Sequence, residues 1–137
     1  MDDCIFCKII SGEIPSATIF ENHEFKVILD RFPSNPGHVL ILPKVHCQTI
    51  FEIDPDLAGR LFALAAKIAS VMKEALHTEH MNLLQNNGTI AGQTVNHFHL
   101  HIIPRYENDQ VSIKWTPQSP TDEEIEETKN LISKLMK

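Results

Sequence analysis

The chain has 137 residues and a formal net charge of −6 at pH 7, and its 12 lysine and arginine residues are scattered along the sequence. This length fits a single domain, 1–137, and scattered basic residues argue against a protein that follows a long nucleic acid. Because no apolar run is long enough to span a membrane and the start Met1-Asp2-Asp3 is acidic, we expect a cytoplasmic protein without a membrane partner.

In chain order, the pattern predicts an α+β fold with a five-stranded antiparallel sheet beside one long core helix. A short helix over 4–10 is expected to end before Gly12. Strands then follow at 18–21, 25–29 and 38–42, and two more at 81–85 and 97–103 complete the sheet.

The long helix between the third and fourth strands begins with Asp54 and Pro55, which have the form of an N-cap and a first helical residue. Helical spacing relates the apolar residues after them, which predicts the face that packs on the sheet. This stripe consists of Leu57, Leu61, Leu64, Ile68, Val71, Met72 and Leu76.

After Trp115 the sequence becomes polar and rich in proline, so residues 116–137 form a C-terminal extension. Thr121 and Glu124 have the spacing of a capping box, which predicts an added amphipathic helix. We expect this helix to dock on the rest of the protein through its apolar residues. These are Ile125, Leu131, Ile132 and Leu135.

Histidines alternate with apolar residues in the segment 97–103, His-Phe-His-Leu-His-Ile-Ile. In a strand, this alternation places three imidazoles on one face. Because a strand rises about 3.3 Å per residue, the outer two imidazoles start about 13 Å apart, and a zinc ion needs each nitrogen at about 2.0 to 2.1 Å. At least one histidine is therefore free for other chemistry, and we interpret the segment as a reaction site.

The preceding segment, 86–94, contains two glycines, two asparagines and two threonines but no carboxylate. Glycine and asparagine permit left-handed turns that aim backbone N–H groups at one point, which suits an anion. An ordinary hairpin connection is the alternative. Since a catalytic zinc site is better served by an acidic residue that orients its histidines, this neighbourhood favours phosphate chemistry.

Cys4 and Cys7 form a C-x-x-C pair, which is half of a structural zinc site or a redox dithiol. A thioredoxin-like pair follows a buried strand, whereas only three residues precede Cys4, so metal is the better interpretation. Two unpaired surface thiols are the alternative. The chain has three cysteines, an odd number that fits a reducing compartment. The candidates for the two remaining ligands are His46, Cys47, His97, His38 and His23.

The segment 92–103, Gly-Gln-Thr-Val-Asn-His-Phe-His-Leu-His-Ile-Ile, resembles the signature of the histidine triad (HIT) family of nucleotide hydrolases and transferases. Segments 4–10, 13–16, 29–30 and 36–46 are similar to those of prokaryotic Hint-like members, so the likeness covers a core of about 4–106. It implies the HIT fold, a homodimer in which two sheets join, and a structural zinc ion on Cys4, Cys7, His46 and His97.

The resemblance also implies the roles of the site residues. His99 would attack the α-phosphorus, and neutral imidazole suits this role because its lone pair is available at physiological pH. The main chain near the first histidine would orient its other nitrogen. The implied phosphate-binding residues are His101, Thr94, Gln93, Gly92 and Asn86. Asp30 would bind the ribose, and Ile5, Phe6, Ile10 and Ile28 lie where the family lines a base pocket. Taken by sequence alone, core packing is the favoured explanation of these four apolar residues.

Arg31 departs from the family pattern, in which an aliphatic residue is common, so the resemblance leaves the base preference open. The leading hypothesis is hydrolysis of a nucleoside 5′-phosphoramidate or related purine nucleotidyl compound, with no organic cofactor. A dinucleoside polyphosphate hydrolase is the first alternative, since 91–95, 104–105 and the C-terminal helix are also similar to that branch. The second is a nucleotide-binding or scaffolding protein with incidental hydrolysis.

Overall fold

A computed structural model describes residues 3–136. Met1 and Asp2 of the acidic start, and Lys137, lie outside the described residues. Five strands form one antiparallel sheet in the order β1-β2-β3-β5-β4, which confirms the predicted α+β architecture. The elements are α1 (Ile5–Ser11), β1 (Thr18–Glu21), β2 (Phe25–Leu29), β3 (Val39–Pro43), α2 (Pro55–Leu76), β4 (Met81–Leu84), β5 (Leu100–Pro104) and α3 (Asp122–Ser133).

The two faces of the sheet are covered by different helices. On β3, Val39 and Ile41 belong to the core cluster that includes α2, whereas Leu40 and Leu42 belong to the cluster that includes α1. This alternation follows from the pleat of a strand. His101 pairs with Leu40 across the sheet and therefore shares the face that α1 covers.

Helix α1 starts one residue later than predicted, because Cys4 is its N-cap. The Cys4 Sγ accepts the Cys7 N–H at 3.4 Å, and Gly12, with φ of +87°, ends the helix in a left-handed conformation. The buried Lys26 Nζ donates to the Ile9 carbonyl at 3.1 Å. These bonds fix α1, and with it both thiols, over the sheet.

Helix α2 begins as predicted, with the Asp54 carboxylate accepting the Leu57 N–H and Pro55 in the first turn. The buried residues of its stripe are Leu57, Leu61, Ala65, Ile68 and Met72. Val71 is 64% exposed, so its assignment to the buried face was wrong. The stripe is narrower than predicted because a single sheet face contacts the helix.

Leu61→Ala tests this stripe, since Leu61 is only 3% exposed. We expect the variant to lose about 2–5 kcal/mol of unfolding free energy, because the removed methyl groups leave a cavity in a packed core. Val71→Ala is the matched control on the same helix and should lose less than about 0.5 kcal/mol. Urea unfolding of both variants checks the prediction, and equal losses would contradict the assigned face.

Strand β5 begins at Leu100, so the prediction of a strand over 97–103 was wrong for His97 and His99. The backbone there bonds outside the ladder, because the Phe98 N–H donates to the Cys47 carbonyl at 2.7 Å and the His97 carbonyl receives the His99 side chain. Of the three histidines, only His101 therefore lies in the paired part of the strand.

Helix α3 has the predicted capping box, in which Thr121 and Glu124 bond reciprocally. No residue of α3 is buried within the described part of the chain. The expectation that this helix docks on the rest of its own chain was therefore wrong. No helix within 3–136 has both the length and the apolar character needed to cross a bilayer.

Candidate active site and metal centre

His99 lies just before β5 and is held by the backbone of its own segment. Its Nδ1 is 2.6 Å from the His97 carbonyl oxygen, and since a carbonyl only accepts, Nδ1 carries the proton. Nε2 of the neutral ring then keeps a lone pair. Among residues 3–136 no side-chain nitrogen or oxygen is both fully enclosed and unpaired. Although His99 is only 6% exposed, its Nε2 therefore reaches solvent.

His101 is fixed by a chain of donors from the loop before β3. The Ser34 N–H donates to His38 Nδ1 at 3.0 Å, so neutral His38 carries its proton on Nε2. That Nε2–H donates to His101 Nδ1 at 2.9 Å, which places the proton of neutral His101 on Nε2. His101 thus presents a donor next to His99, with the two ring centroids 4.9 Å apart.

Asp30 follows β2 and completes this group. Its Oδ1 accepts the Phe32 N–H at 3.0 Å, and its Oδ2 lies 3.6 Å from His38 Nε2. The ligand atoms of Asp30, His38 and His101 are close enough to hold a metal ion. However, the proton on His38 Nε2 leaves no lone pair there, so the tautomers that the hydrogen bonds imply favour a hydrogen-bonded chain over chelation.

Burial keeps these rings neutral. It lowers the pKa of His101 to about 4, helped by the charges of His99 and His38, and it lowers the pKa of His38 and of His99 below the ordinary histidine value. Near pH 7 each ring therefore has one donor and one acceptor nitrogen, as the hydrogen bonds require.

The lowered pKa of His101 makes the protein less stable in acid. The unfolded chain binds this proton near pH 6.5 and the folded chain near pH 4, so stability is present above 6.5 and is lost as the pH falls towards 4. The expected loss from this group is about 3 kcal/mol. Urea unfolding between pH 7 and pH 4 should show a shallower pH dependence for His101→Gln than for wild type.

The exposed His23 provides the control, since His23→Gln should retain the wild-type pH dependence. Comparing variants at each pH cancels the release of any bound metal in acid. Identical slopes for His101→Gln and wild type would contradict the assigned pKa.

The residues proposed for the base pocket are divided between core and surface. Phe6 and Ile28 are buried in the cluster on the α1 face, where the Phe6 ring packs edge-on against His97 and His99 with centroids 5.9 and 4.9 Å away. Ile5 is 46% exposed, whereas Ile10 packs against the same cluster. Ile5 is therefore the member of this set most open to a ligand.

The loop 86–94 is held mainly by Gln93. The buried Gln93 side chain accepts the Gly88 N–H at 2.8 Å and donates to the Gln48 and Val95 carbonyls at 2.7 and 3.0 Å. The N–H groups of Ala91, Gly92 and Gln93 also bond within the loop. The expectation that the loop's N–H groups converge on an anion is therefore wrong for these positions.

Other groups of this loop stay on the open side. Thr94 is exposed, and Asn86 is partly buried with its Nδ2 at a loose 3.4 Å from the Gly92 carbonyl oxygen. Gly92 has φ of +97°, and a Cβ there would lie 3.4 Å from Asn86 Nδ2. Glycine at this position therefore gives both the left-handed turn and the close approach of Asn86.

Cys4, Cys7, His46 and His97 bring four ligand atoms within 4.8 Å of one another. His97 Nδ1 lies 3.4 Å from Cys4 Sγ, 3.6 Å from Cys7 Sγ and 3.2 Å from His46 Nδ1, and Cys7 Sγ lies 3.3 Å from His46 Nδ1. The edges of a tetrahedral zinc site with thiolate and imidazole ligands are roughly 3.3 to 3.6 Å. The residues therefore fit a zinc ion.

The environment of the cluster supports the same fit. His97 is fully buried and its Nε2–H donates to the Pro43 carbonyl at 2.8 Å, which turns the Nδ1 lone pair towards the thiols. Burial, together with the Cys4 thiol, raises the pKa of the Cys7 thiol, so a cation is needed to hold it as thiolate. Of the other candidates, Cys47 is buried in the core on the α2 side and His38 pairs with His101.

The sequence did not predict the role of His38, which was expected only as a possible metal ligand. The antiparallel pairing of β2 with β3 places Asp30 and His38 at adjacent strand ends, and the Asp30 N–H donates to the His38 carbonyl at 2.9 Å. The predicted hairpin of β2 and β3 was the signal available in the sequence, because it brings Asp30 and His38 together.

Comparisons with known proteins agree with this geometry. The family model described as HIT domain matches residues 11–108. "Protein hit" of Bacillus subtilis is 38% identical over 137 residues, which cover 99% of this chain and 94% of that protein. Adenosine 5'-monophosphoramidase hnt1 of Schizosaccharomyces pombe is 35% identical and 98% of each chain is covered. Adenylylsulfatase HINT3 of Arabidopsis thaliana is 42% identical over 79% of this chain and 55% of its own length.

Solved structures share the fold. A HIT family protein from Bacillus anthracis superposes with a TM-score of 0.92 at 42% identity, with 99% of both chains covered. A Zn-bound histidine triad family protein from Mycobacterium smegmatis gives a TM-score of 0.77 at 36% identity, with 85% of both chains covered. Since sequence and fold match over most of the molecule, the chain belongs to the HIT family.

Proposed function

We propose that this protein hydrolyses nucleoside 5′-phosphoramidates or related purine nucleotidyl compounds at the α-phosphate through a covalent adduct on His99. The observation that carries the proposal is the bond from His99 Nδ1–H to the His97 carbonyl, which leaves the Nε2 lone pair unpaired and not fully enclosed. Family membership and relatives named as a phosphoramidase and an adenylylsulfatase support a nucleotide hydrolase in general.

Two displacements at phosphorus account for the reaction. In the first, His99 Nε2 forms a bond to the α-phosphorus while the bond to the leaving amine nitrogen breaks, and that nitrogen takes up a proton from solvent as His101 Nε2–H donates a hydrogen bond to it. In the second, water attacks the same phosphorus, the bond to His99 breaks and a proton returns to solvent. Division into two steps lowers the barrier of each.

The remaining residues position the substrate. Thr94 and Asn86 supply donors for the phosphate oxygens, while Gly92 and Gln93 hold the loop that carries them. Asp30 accepts from a ribose hydroxyl, and the exposed Ile5 contacts the base, with Phe6 and Ile28 supporting the pocket from the core. Fixed donors stabilise the charge of the transferred group without reorganisation in the transition state.

We further propose that Cys4, Cys7, His46 and His97 hold a structural zinc ion. Such an ion stabilises the fold and leaves the phosphorus chemistry to the imidazoles. Because the site needs both cysteines as thiolates, it also favours a reducing, cytoplasmic setting.

Mass spectrometry of the protein after reaction tests the adduct directly. The purified protein is mixed with adenosine 5′-phosphoramidate, quenched in alkali and weighed intact, and we expect a population heavier by one adenylyl group. Guanylated phosphoramidates, dinucleoside polyphosphates and acyl-adenylates complete the panel. Preferential turnover of dinucleoside polyphosphates would show that these compounds, and not phosphoramidates, are the substrate class. Nucleotide binding without an adduct or turnover would show that the protein binds nucleotides but is not an enzyme.

We also propose a homodimer in which a second copy covers the apolar face of α3. In the single chain, Ile125, Leu131, Ile132 and Leu135 are all more than half exposed, and an amphipathic helix needs a partner for such a face. Light scattering should give a dimer mass for wild type and a monomer mass for the pair Leu131→Glu and Ile132→Glu. Asn130→Glu, on the exposed polar face of α3, should stay dimeric, and a monomeric wild type would exclude the proposal.

A further inference from the structure

Asp109, just beyond the residues matched by the family model, is the centre of a hydrogen-bonded loop after β5. Its carboxylate is only 6% exposed and receives Arg105 through Nε and an NH2 group, both at 2.9 Å. The N–H groups of Tyr106 and Val111 donate to it as well, at 3.0 and 3.3 Å. These donors, of which Arg105 has the largest effect, hold the pKa of the Asp109 carboxyl well below its usual range.

One further donor links this carboxylate to the catalytic side of the protein. The buried Asn35 side chain donates to Asp109 Oδ2 at 2.7 Å and to the Pro104 carbonyl at 2.9 Å. The Tyr106 hydroxyl adds a second link, donating to the Pro36 carbonyl at 2.7 Å. Residues 31–37, which join Asp30 to His38, are thereby tied to the end of β5.

This link between residues 31–37 and the end of β5 positions His38 for its hydrogen bond to His101. The His38 N–H donates to the Asn35 carbonyl at 3.1 Å, so the backbone position of His38 depends on Asn35. His101 lies on β5 itself, three residues before Pro104. Asn35 therefore fixes the donor His38 Nε2–H against the strand that carries its acceptor, His101 Nδ1. If this bond is lost, neutral His101 is free to carry its proton on Nδ1 and then offers no donor to the leaving group.

We infer that Asn35 and Asp109 are positioning residues that set the tautomer of His101, an inference that rests on the proposed function of this site. They act through His38 and do not touch the substrate. Arg105 serves the same purpose indirectly by neutralising and orienting Asp109, since a buried carboxylate without its partner is costly.

Asn35→Ala removes both hydrogen bonds of the Asn35 side chain and leaves the Tyr106 link and the pair of Arg105 and Asp109 in place. Because small misplacements of a catalytic group lower rates strongly, we expect kcat to fall between about 10- and 100-fold with little change in KM. Asn82→Ala is the matched control, since Asn82 Oδ1 accepts from Arg105 NH1 at 2.8 Å on the side away from His38. This control loses one bond of the same network and should keep the wild-type kcat.

Imidazole nitrogen spectra separate this inference from the proposed function, because they need no turnover. In wild type and Asn82→Ala, His38 and His101 should each show a protonated Nε2, whereas Asn35→Ala should show mixed tautomers for His101. If wild type has no activity but the spectra behave in this way, the proposed function fails and the positioning role stands. Unchanged His101 spectra in folded Asn35→Ala, or equal losses of kcat in both variants, would overturn the inference.

Asn35→Ser is a second variant for the case that Asn35→Ala does not fold, since its smaller hydroxyl side chain keeps one donor at this position. Its His101 spectrum should lie between those of wild type and Asn35→Ala. Thermal unfolding of each variant shows whether the measured protein is folded.

Discussion

His99→Asn should lose turnover of nucleoside phosphoramidates by a factor on the order of 10⁴ while it still binds the nucleotide product. The asparagine has no nitrogen lone pair that can attack phosphorus, so neither displacement can proceed. Its amide is smaller than the buried ring, and Phe6 retains His97 as an aromatic neighbour. We therefore expect a folded protein, and steady-state assays with calorimetric titration of the nucleotide monophosphate check both parts.

The exposed His23 again provides a control, since His23→Asn removes a histidine far from the site and should keep full activity. The adenylyl adduct should be absent from His99→Asn and present in His101→Gln, whose attacking nitrogen is intact. An adduct on His99→Asn would assign the nucleophile to another residue. Retained turnover in that variant would do the same.

Removal of metal from the Cys4, Cys7, His46 and His97 cluster should have the second large effect. Without a cation, two thiols and two imidazole lone pairs converge at 3.2 to 3.6 Å with nothing to bind. A bound ion would also tie α1 to the segment before β5, so we expect its removal to cost several kcal/mol of unfolding free energy. At roughly 3 °C per kcal/mol for a chain of this size, Tm should fall by on the order of 10 °C.

Elemental analysis before and after chelation, followed by thermal unfolding, measures this effect. Cys7→Ser should purify with less than one zinc ion per chain and should resemble the chelated wild type. Cys47→Ala should keep one ion, because Cys47 packs in the core on the α2 side. A wild type that binds no zinc, or a Tm that does not respond to chelation, would exclude the metal site.

Metal removal should also affect catalysis, because His97 belongs to the metal cluster and contacts His99. The same residue offers Nδ1 to the proposed metal cluster and its carbonyl to His99 Nδ1–H, so a bound ion would help to fix the orientation of the His99 ring. The Pro43 carbonyl continues to hold His97 Nε2 when metal leaves. Metal removal should therefore lower kcat less than the His99→Asn substitution does.

Much of the fold could be predicted because local rules dominate there. Asp54 and Pro55 at the start of α2, Gly12 after α1 and the capping box of Thr121 each act within a few residues, so their effect is visible in the sequence. Val71 shows the limit of such rules. Helical spacing alone could not tell how wide a stripe the sheet covers. The bounds of the core, about 4–106, and of the extension, 116–137, stay predictions.

The sequence by itself determined which chemistry is present, because the order of histidines, glycines and cysteines fixes the kinds of donor and lone pair available. Only the tertiary structure decided which nitrogen of each ring carries its proton. For two of the rings that choice depends on partners distant in sequence, Pro43 for His97 and His38 for His101. In a neutral imidazole, either nitrogen can carry the proton until a neighbour forms a hydrogen bond with one of them. Folding brings that neighbour into contact with the ring.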